Sequence, residues 1–170
     1  MTKIVKKIFL IVISLVVIGC SKTPIIEKNQ DFNQEKYLGR WYEIKRIENR
    51  FERGLKEVTA DYTKDKNGKI LVLNSGVSSK NKLKEFRAFL KPTEDSNFFK
   101  LYPSFFPIWG SNYNVAWVDE EYRYAIVTSS SYKYLWFLSR EKTIPEDIYK
   151  MMLEKAQDLG YNTDELIDGQ

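Results

Sequence analysis

The chain has 170 residues and a net charge of +4, from 27 Lys and Arg against 23 Asp and Glu. That length suffices for one domain with a substantial core. It contains no histidine and one cysteine, which excludes a Ser-His-Asp or Cys-His centre, the usual haem ligand and any internal disulfide.

Residues 1–19 read as a signal peptide. Lys3, Lys6 and Lys7 form a basic start, and residues 8–18 form a nearly unbroken apolar run. Eleven helical residues rise only ~16 Å, well short of the ~30 Å hydrocarbon layer, so the run is too short to span a membrane. Losing the three leader lysines takes the charge from +4 to +1. A nearly neutral mature chain is not expected to bind nucleic acid. The single cysteine, Cys20, ends the apolar run in Val17-Ile18-Gly19-Cys20-Ser21, which resembles a bacterial lipobox. Lipidation there implies attachment to a membrane that is effectively permanent. Ser21 rather than Asp after the cysteine resembles the signal for the outer membrane; the leaflet stays open.

Residues 20–30 then form the lipidated N-terminus and a polar tether, and residues 31–170 the domain. A short polar helix signal precedes Gly39, whose missing Cβ allows a tight turn into the first strand. Apolar or alternating runs follow near 39–46, 56–64, 69–76, 83–91, 98–103, 113–119, 123–129 and 133–139. Turn-rich clusters such as Asp65-Lys66-Asn67-Gly68 and Ser129-Ser130-Ser131 separate them. Eight short strands at hairpin spacing predict an antiparallel sandwich or barrel. An aromatic content of 15% suits pleated surfaces. One helix follows. Pro145 suits its first turn, Glu146 and Asp147 complement the helix dipole, and Gly160 is a candidate cap. Its stripe of Ile148, Met152 and Leu159 is expected to pack on the outside of the sheet.

Four blocks carry a family resemblance: Gly39-Arg40-Trp41-Tyr42-Glu43-Ile44, Arg50-Phe51-Glu52-Arg53-Gly54-Leu55, Tyr113-Asn114-Val115 and Tyr134-Leu135-Trp136-Phe137-Leu138-Ser139-Arg140. Together they resemble a bacterial lipocalin of the outer-membrane lipoprotein type, over residues 31–160. One departure is mild: Val118-Asp119-Glu120-Glu121-Tyr122 stands where the family has a Thr-Asp-Tyr turn. The resemblance implies an all-β fold with one C-terminal α-helix. Its core is an eight-stranded antiparallel up-and-down barrel, closed at one end. It further implies that Trp41 plugs the closed end and that Arg140 stacks across its ring; with Gly39, these are structural positions.

With the register set by that resemblance, the inward set runs Val58, Ala60, Tyr62; Ile70, Val72, Asn74; Phe86, Ala88, Leu90; Ala116, Ala125, Val127; and Tyr134, Trp136, Leu138. Alanine offers strands little to pack, so four inward alanines suggest space left open. The walls read as aliphatic and aromatic, with few polar groups. Glu43 and Lys45 share the parity of Trp41 and are candidates for an inward charge pair, most simply a structural one. The expected ligand is a fatty acid or lysophospholipid, held for storage, transport or membrane maintenance. Burying sixteen carbons yields on the order of 10 kcal/mol gross, much of it offset by ordering costs.

Candidate ligand contacts are Trp136, Tyr134, Tyr62 and Ala88 in the barrel, with Trp109, Phe106 and Phe51 at the open end. The run Phe105-Phe106-Pro107-Ile108-Trp109 is costly if fully exposed, so it reads as a rim, a lid or a contact patch. Phe105 and Phe106 could equally cover the barrel top. Arg50 and Arg53 flank Phe51 and either meet an anionic headgroup or are simply solvated. The only thiol lies in the lipobox and no carboxylate pair stands out, so no enzymatic role, metal or cofactor is expected. The competing expectation is a structural or partner-binding lipoprotein that docks through the Phe105–Trp109 loop.

Overall fold

Each alternating run becomes a strand, and each turn cluster reverses the chain. In the computed structural model, which describes residues 23–105 and 107–170, Asn33 caps a single helical turn, α1 (Gln34–Tyr37), by accepting from the Lys36 amide. Eight strands follow: β1 (Gly39–Ile47), β2 (Leu55–Lys64), β3 (Ile70–Ser78), β4 (Leu83–Pro92), β5 (Phe98–Pro103), β6 (Ser111–Val118), β7 (Tyr124–Thr128) and β8 (Leu135–Ser139). Each pairs antiparallel with the next, and β1 pairs with both β2 and β8, so the sheet closes on itself. This is the eight-stranded up-and-down barrel expected from the sequence. The leader, Cys20 and Phe106 lie outside the described residues.

Helix α2 (Glu146–Asp158) begins at Pro145, with two carboxylates in its first turn. It buries Met152 and Ala156 completely against Ile126, Leu135 and Phe137 on the outer face of the barrel. The hairpin turns 65–69, 93–97 and 119–123 gather with α1 at one end. The loops 48–54, 79–82, 104–110 and 129–134 gather at the other. The first end is closed and the second is the open rim.

Two bulges redirect side chains that strict alternation misplaces. In β1 the register shifts between Glu43 and Lys45. Glu43 stays inside, while Lys45 turns outward to Asp168 (2.6 Å) and over the Tyr149 ring. The expected Glu43–Lys45 pair is therefore replaced by Glu43 and Arg46. In β6 the shift falls between Val115 and Trp117. Val115 and Val118 point in, while Ala116 packs outside with the α2 cluster. The inward assignment of Ala116 is thus corrected: a bulge puts two consecutive residues on one face.

After α2, a 3₁₀ turn (Thr163–Glu165) leads into a ninth strand, β9 (Leu166–Asp168), which alternation did not reveal. β1 and β2 pair only over Gly39–Tyr42, and beyond that point this last segment fills the seam. Val58 donates to the Gly169 carbonyl (2.9 Å), Gly169 donates to Ile44 (3.1 Å), and the Gln170 amide reaches the carbonyls of Glu43 and Val58. A Cβ at Gly169 would collide with the Glu43 carbonyl oxygen, a backbone atom with no room to yield. Gly169→Ala is expected to cost about 1–3 kcal/mol, the usual range for overpacking. Hydrogen exchange at the Val58 amide measures it; unchanged protection would show that the seam tolerates the extra carbon.

Residues 23–30, read as a spacer, lie against the barrel. Asn97 is buried and donates to the Glu27 and Val115 carbonyls (3.0 Å each) while accepting from the Asn29 amide (2.9 Å). Lys28 pairs with Asp95 at 2.9 Å. Thr23, Pro24 and Ile26 share a groove with Lys100, Asn112, Ser129 and Ser130. The segment therefore climbs the outer wall from the closed end toward the rim.

Candidate functional site

The closed end is solid. Trp41 is fully buried and donates its indole N–H to the Tyr37 carbonyl at 2.8 Å. The Arg140 guanidinium lies 3.8 Å from the centre of its ring. That guanidinium also donates to the carbonyls of Lys36, Tyr37, Leu38 and Arg40 where α1 meets β1, and to that of Tyr122 in the turn before β7. Gly39 enters β1 at φ +95°, where a side chain would be strained, and Arg140 covers the space above it. Gly39, Trp41 and Arg140 thus meet at the closed end.

Above the plug, three phenols form a floor. Tyr113 shares hydrogen bonds of 2.7 Å with both Tyr37 and Tyr62, and all three are buried. Burial raises each phenol's pKa well above the ordinary value, so all three stay neutral. Sequence reasoning named only Tyr62. The parity of Tyr113 with Val115 could have identified a second member.

Between this floor and the rim lies a cavity of about 70 Å³. Val58, Ala60, Leu101, Val127, Trp136 and Leu138 give it apolar walls, while Glu43, Glu52, Thr59 and Asn74 add polar ones. The expectation of few inward polar groups is corrected here: Glu43, inward by its parity with Trp41, is joined by Arg46, which the bulge in β1 turns inside, and by Glu52 from the turn at 49–52. Glu43 accepts from Arg46 Nη1 at 2.7 Å, and both side chains are almost wholly buried. Arg46 also donates to the carbonyls of Glu52 and Leu55, and its Nε has no partner. Burial, reinforced by the charge of Glu52 and opposed by Arg46, pushes Glu43 up to about 8. Glu52 accepts from the Trp136 indole (2.9 Å) and from Asn49 Nδ2 (2.6 Å). Glu52 stood in the second block of the resemblance without a role of its own.

The remaining candidates fall in three places. Trp136 and Tyr62 line the cavity. Ala88 is buried in the same apolar cluster but outside the cavity wall, and Tyr134 stacks on Trp136 with centroids 5.9 Å apart. Phe51 and Trp109 are exposed on the rim, at 64% and 78%. Arg50 lies over the Phe51 ring at 4.7 Å. Among the described residues, no cluster of three or more His, Cys, Asp or Glu could hold a metal ion.

A closed eight-stranded barrel with an external helix, a Trp–Arg plug and an interior cavity defines a class of binding proteins. The chain belongs to the lipocalin family, as a bacterial member of the outer-membrane lipoprotein type: residues 32–170 match the lipocalin-like domain. It is 38% identical over 168 residues to the outer membrane lipoprotein Blc of Vibrio cholerae, covering 95% of this chain and 96% of that one. The protein of the same name from Escherichia coli K12 is 35% identical, covering 91% and 89%. Insecticyanin from the tobacco hornworm Manduca sexta shares the fold, with a TM-score of 0.70 over 87% of this chain and 85% of its own at 18% identity. Membership implies a lipoprotein of the outer membrane that binds a lipid or other small hydrophobic ligand.

Proposed function

We propose that the barrel holds one acyl chain of a lysophospholipid, tail toward the tyrosine floor and headgroup at the rim. The observation that carries this reading is a cavity running from Glu52 and Trp136 near the mouth down to Tyr62 and Tyr113. At about 70 Å³ it is smaller than the ~300–1,000 Å³ of most ligand pockets. Entry of an alkyl chain therefore requires the half-buried Phe86, Leu101 and Trp136 to turn aside. Each is only partly packed, unlike the plug below.

The polar wall favours one of the two expected ligand classes. The carboxylate of a free fatty acid drawn inside would meet the carboxylate of Glu52. A zwitterionic headgroup at the mouth instead offers an ammonium to Glu52 and a phosphate to the exposed Arg50 and Arg53. The protein's role is binding and delivery of this lipid at the membrane, without catalysis. A fluorescence titration with lysophosphatidylethanolamine and with palmitate is expected to give tighter binding of the former. Trp136→Ala is expected to weaken lysophospholipid binding about tenfold, equivalent to ~1.4 kcal/mol. Equal affinity for both ligands would remove the headgroup argument. Unchanged affinity in the variant would remove Trp136 from the site.

A further inference from the structure

The two ends of the barrel differ in charge as well as in shape. The rim loops 48–54, 79–82, 104–110 and 129–134 carry five cationic residues, Arg50, Arg53, Lys80, Lys82 and Lys133, against Glu48 and Glu52. Of those two acids, Glu52 is turned toward Trp136 and Asn49. The closed-end turns 65–69, 93–97 and 119–123 carry six acidic residues against three basic ones. The rim is also where large apolar side chains stand in solvent: Phe51 and Leu83 at 64%, Phe105 at 79%, Ile108 at 68% and Trp109 at 78%. The closed-end turns have no counterpart, since Tyr122, the aromatic residue there, is buried.

The N-terminal segment ends its climb on this same side. Lys28 and Asn29 are held at the closed-end turn by Asp95 and Asn97, and Thr23, five residues before Lys28, lines the groove that runs from that turn to Ser129 and Ser130 of the rim loop. Two residues, Ser21 and Lys22, separate Thr23 from Cys20, a reach of at most ~11 Å over three chain steps. A lipid on Cys20 would thus leave the barrel close to its mouth and far from the acidic closed end.

We propose that the open rim is a membrane-docking surface that sits mouth-down on an anionic phospholipid bilayer, with Phe51, Leu83, Phe105, Ile108 and Trp109 in the headgroup region. Three independent observations converge on this occupant: the exposed apolar ring, the excess of cations around it, and the short path from the wall-bound segment to the lipidation site. Basic residues beside apolar wedges are the combination that anionic interfaces bind. The acidic closed end is repelled by the same surface, which fixes the orientation. This geometry goes beyond the choice of ligand. It lets a lipid pass between bilayer and barrel without crossing water.

The test uses the full lipidated chain in vesicles of phosphatidylethanolamine and phosphatidylglycerol, read by hydrogen exchange. The expected result is at least tenfold protection of loops 48–54 and 104–110 on vesicles, with turns 65–69, 93–97 and 119–123 unchanged. The double variant Leu83→Asp/Ile108→Asp, at two exposed rim residues outside the cavity wall, is expected to stay vesicle-bound through its anchor but lose that protection. Protection of the closed-end turns, or no protection of either end, would overturn the proposal. So would rim protection that needs no vesicles and grows with protein concentration, which would assign the surface to a second copy of the chain. Lysophospholipid titration in detergent-free buffer is expected to be unaffected by the double variant, which separates failure of docking from failure of binding.

Discussion

Replacing Glu43 with alanine is expected to destabilise the protein by about 3–5 kcal/mol, whereas Glu43→Gln should cost ~1 kcal/mol or less near neutral pH. The asymmetry follows from the partner. Arg46 is 1% exposed and cannot shed its charge, so it must keep an acceptor. Glutamine supplies one, as the protonated carboxyl does. Alanine leaves a buried cation facing a void. Because folding raises Glu43 from about 4.5 to about 8, the native state keeps a proton that the unfolded chain releases earlier. The resulting stabilisation is complete below about pH 4.5, declines by ~1.4 kcal/mol per pH unit as pH rises toward 8, and is absent above that. Urea titrations of wild type and Glu43→Gln across this window check the sign. Parallel curves would mean that Glu43 is ionised in the fold throughout.

Trp41→Ala is expected to cost about 3–5 kcal/mol, the range for removing a large buried aromatic side chain. The loss extends past the ring itself. Without the indole, Arg140 loses the face it stacks on, the Tyr37 carbonyl loses a donor, and Tyr37 loses a ring packed 5.0 Å away. Arg140→Lys is the informative companion. A lysine cannot reproduce the planar fork that serves five carbonyls, so a cost of ~2 kcal/mol is expected despite the conserved charge. Thermal midpoints of the two variants and their double mutant measure the coupling. Strict additivity would show that the stack contributes nothing of its own.

The eight strands were legible because they are short, alternating and separated by turn clusters, so period and punctuation agree; that they close into a barrel rather than a sandwich came from the resemblance. The plug was legible through the resemblance and then through plain chemistry: a glycine, a tryptophan and an arginine that had to meet. Bulges hid the rest. Counting back from Val118 puts Ala116 inside, while counting forward from Tyr113 puts it outside, and only the extra residue in β6 reconciles the two. The same device in β1 exchanges Lys45 for Arg46 as the partner of Glu43. Glu52 enters the cavity through a turn in which Asn49 accepts from the amides of residues 51 and 52, a feature without periodicity. β9 is three residues long and pairs across more than a hundred positions of sequence, which no local pattern encodes.

That ninth strand has a consequence for how the molecule is assembled. Residues 166–170 are synthesised after every other part of the barrel, yet they supply the hydrogen bonds that join β1 to β2 in the half nearest the mouth. Without that tail, the wall between β1 and β2 carries a slit in the half nearest the mouth. Anything that delays the tail, such as a bulky fusion placed just beyond Gln170, should prolong the slit stage and expose unpaired strand edges to neighbouring chains.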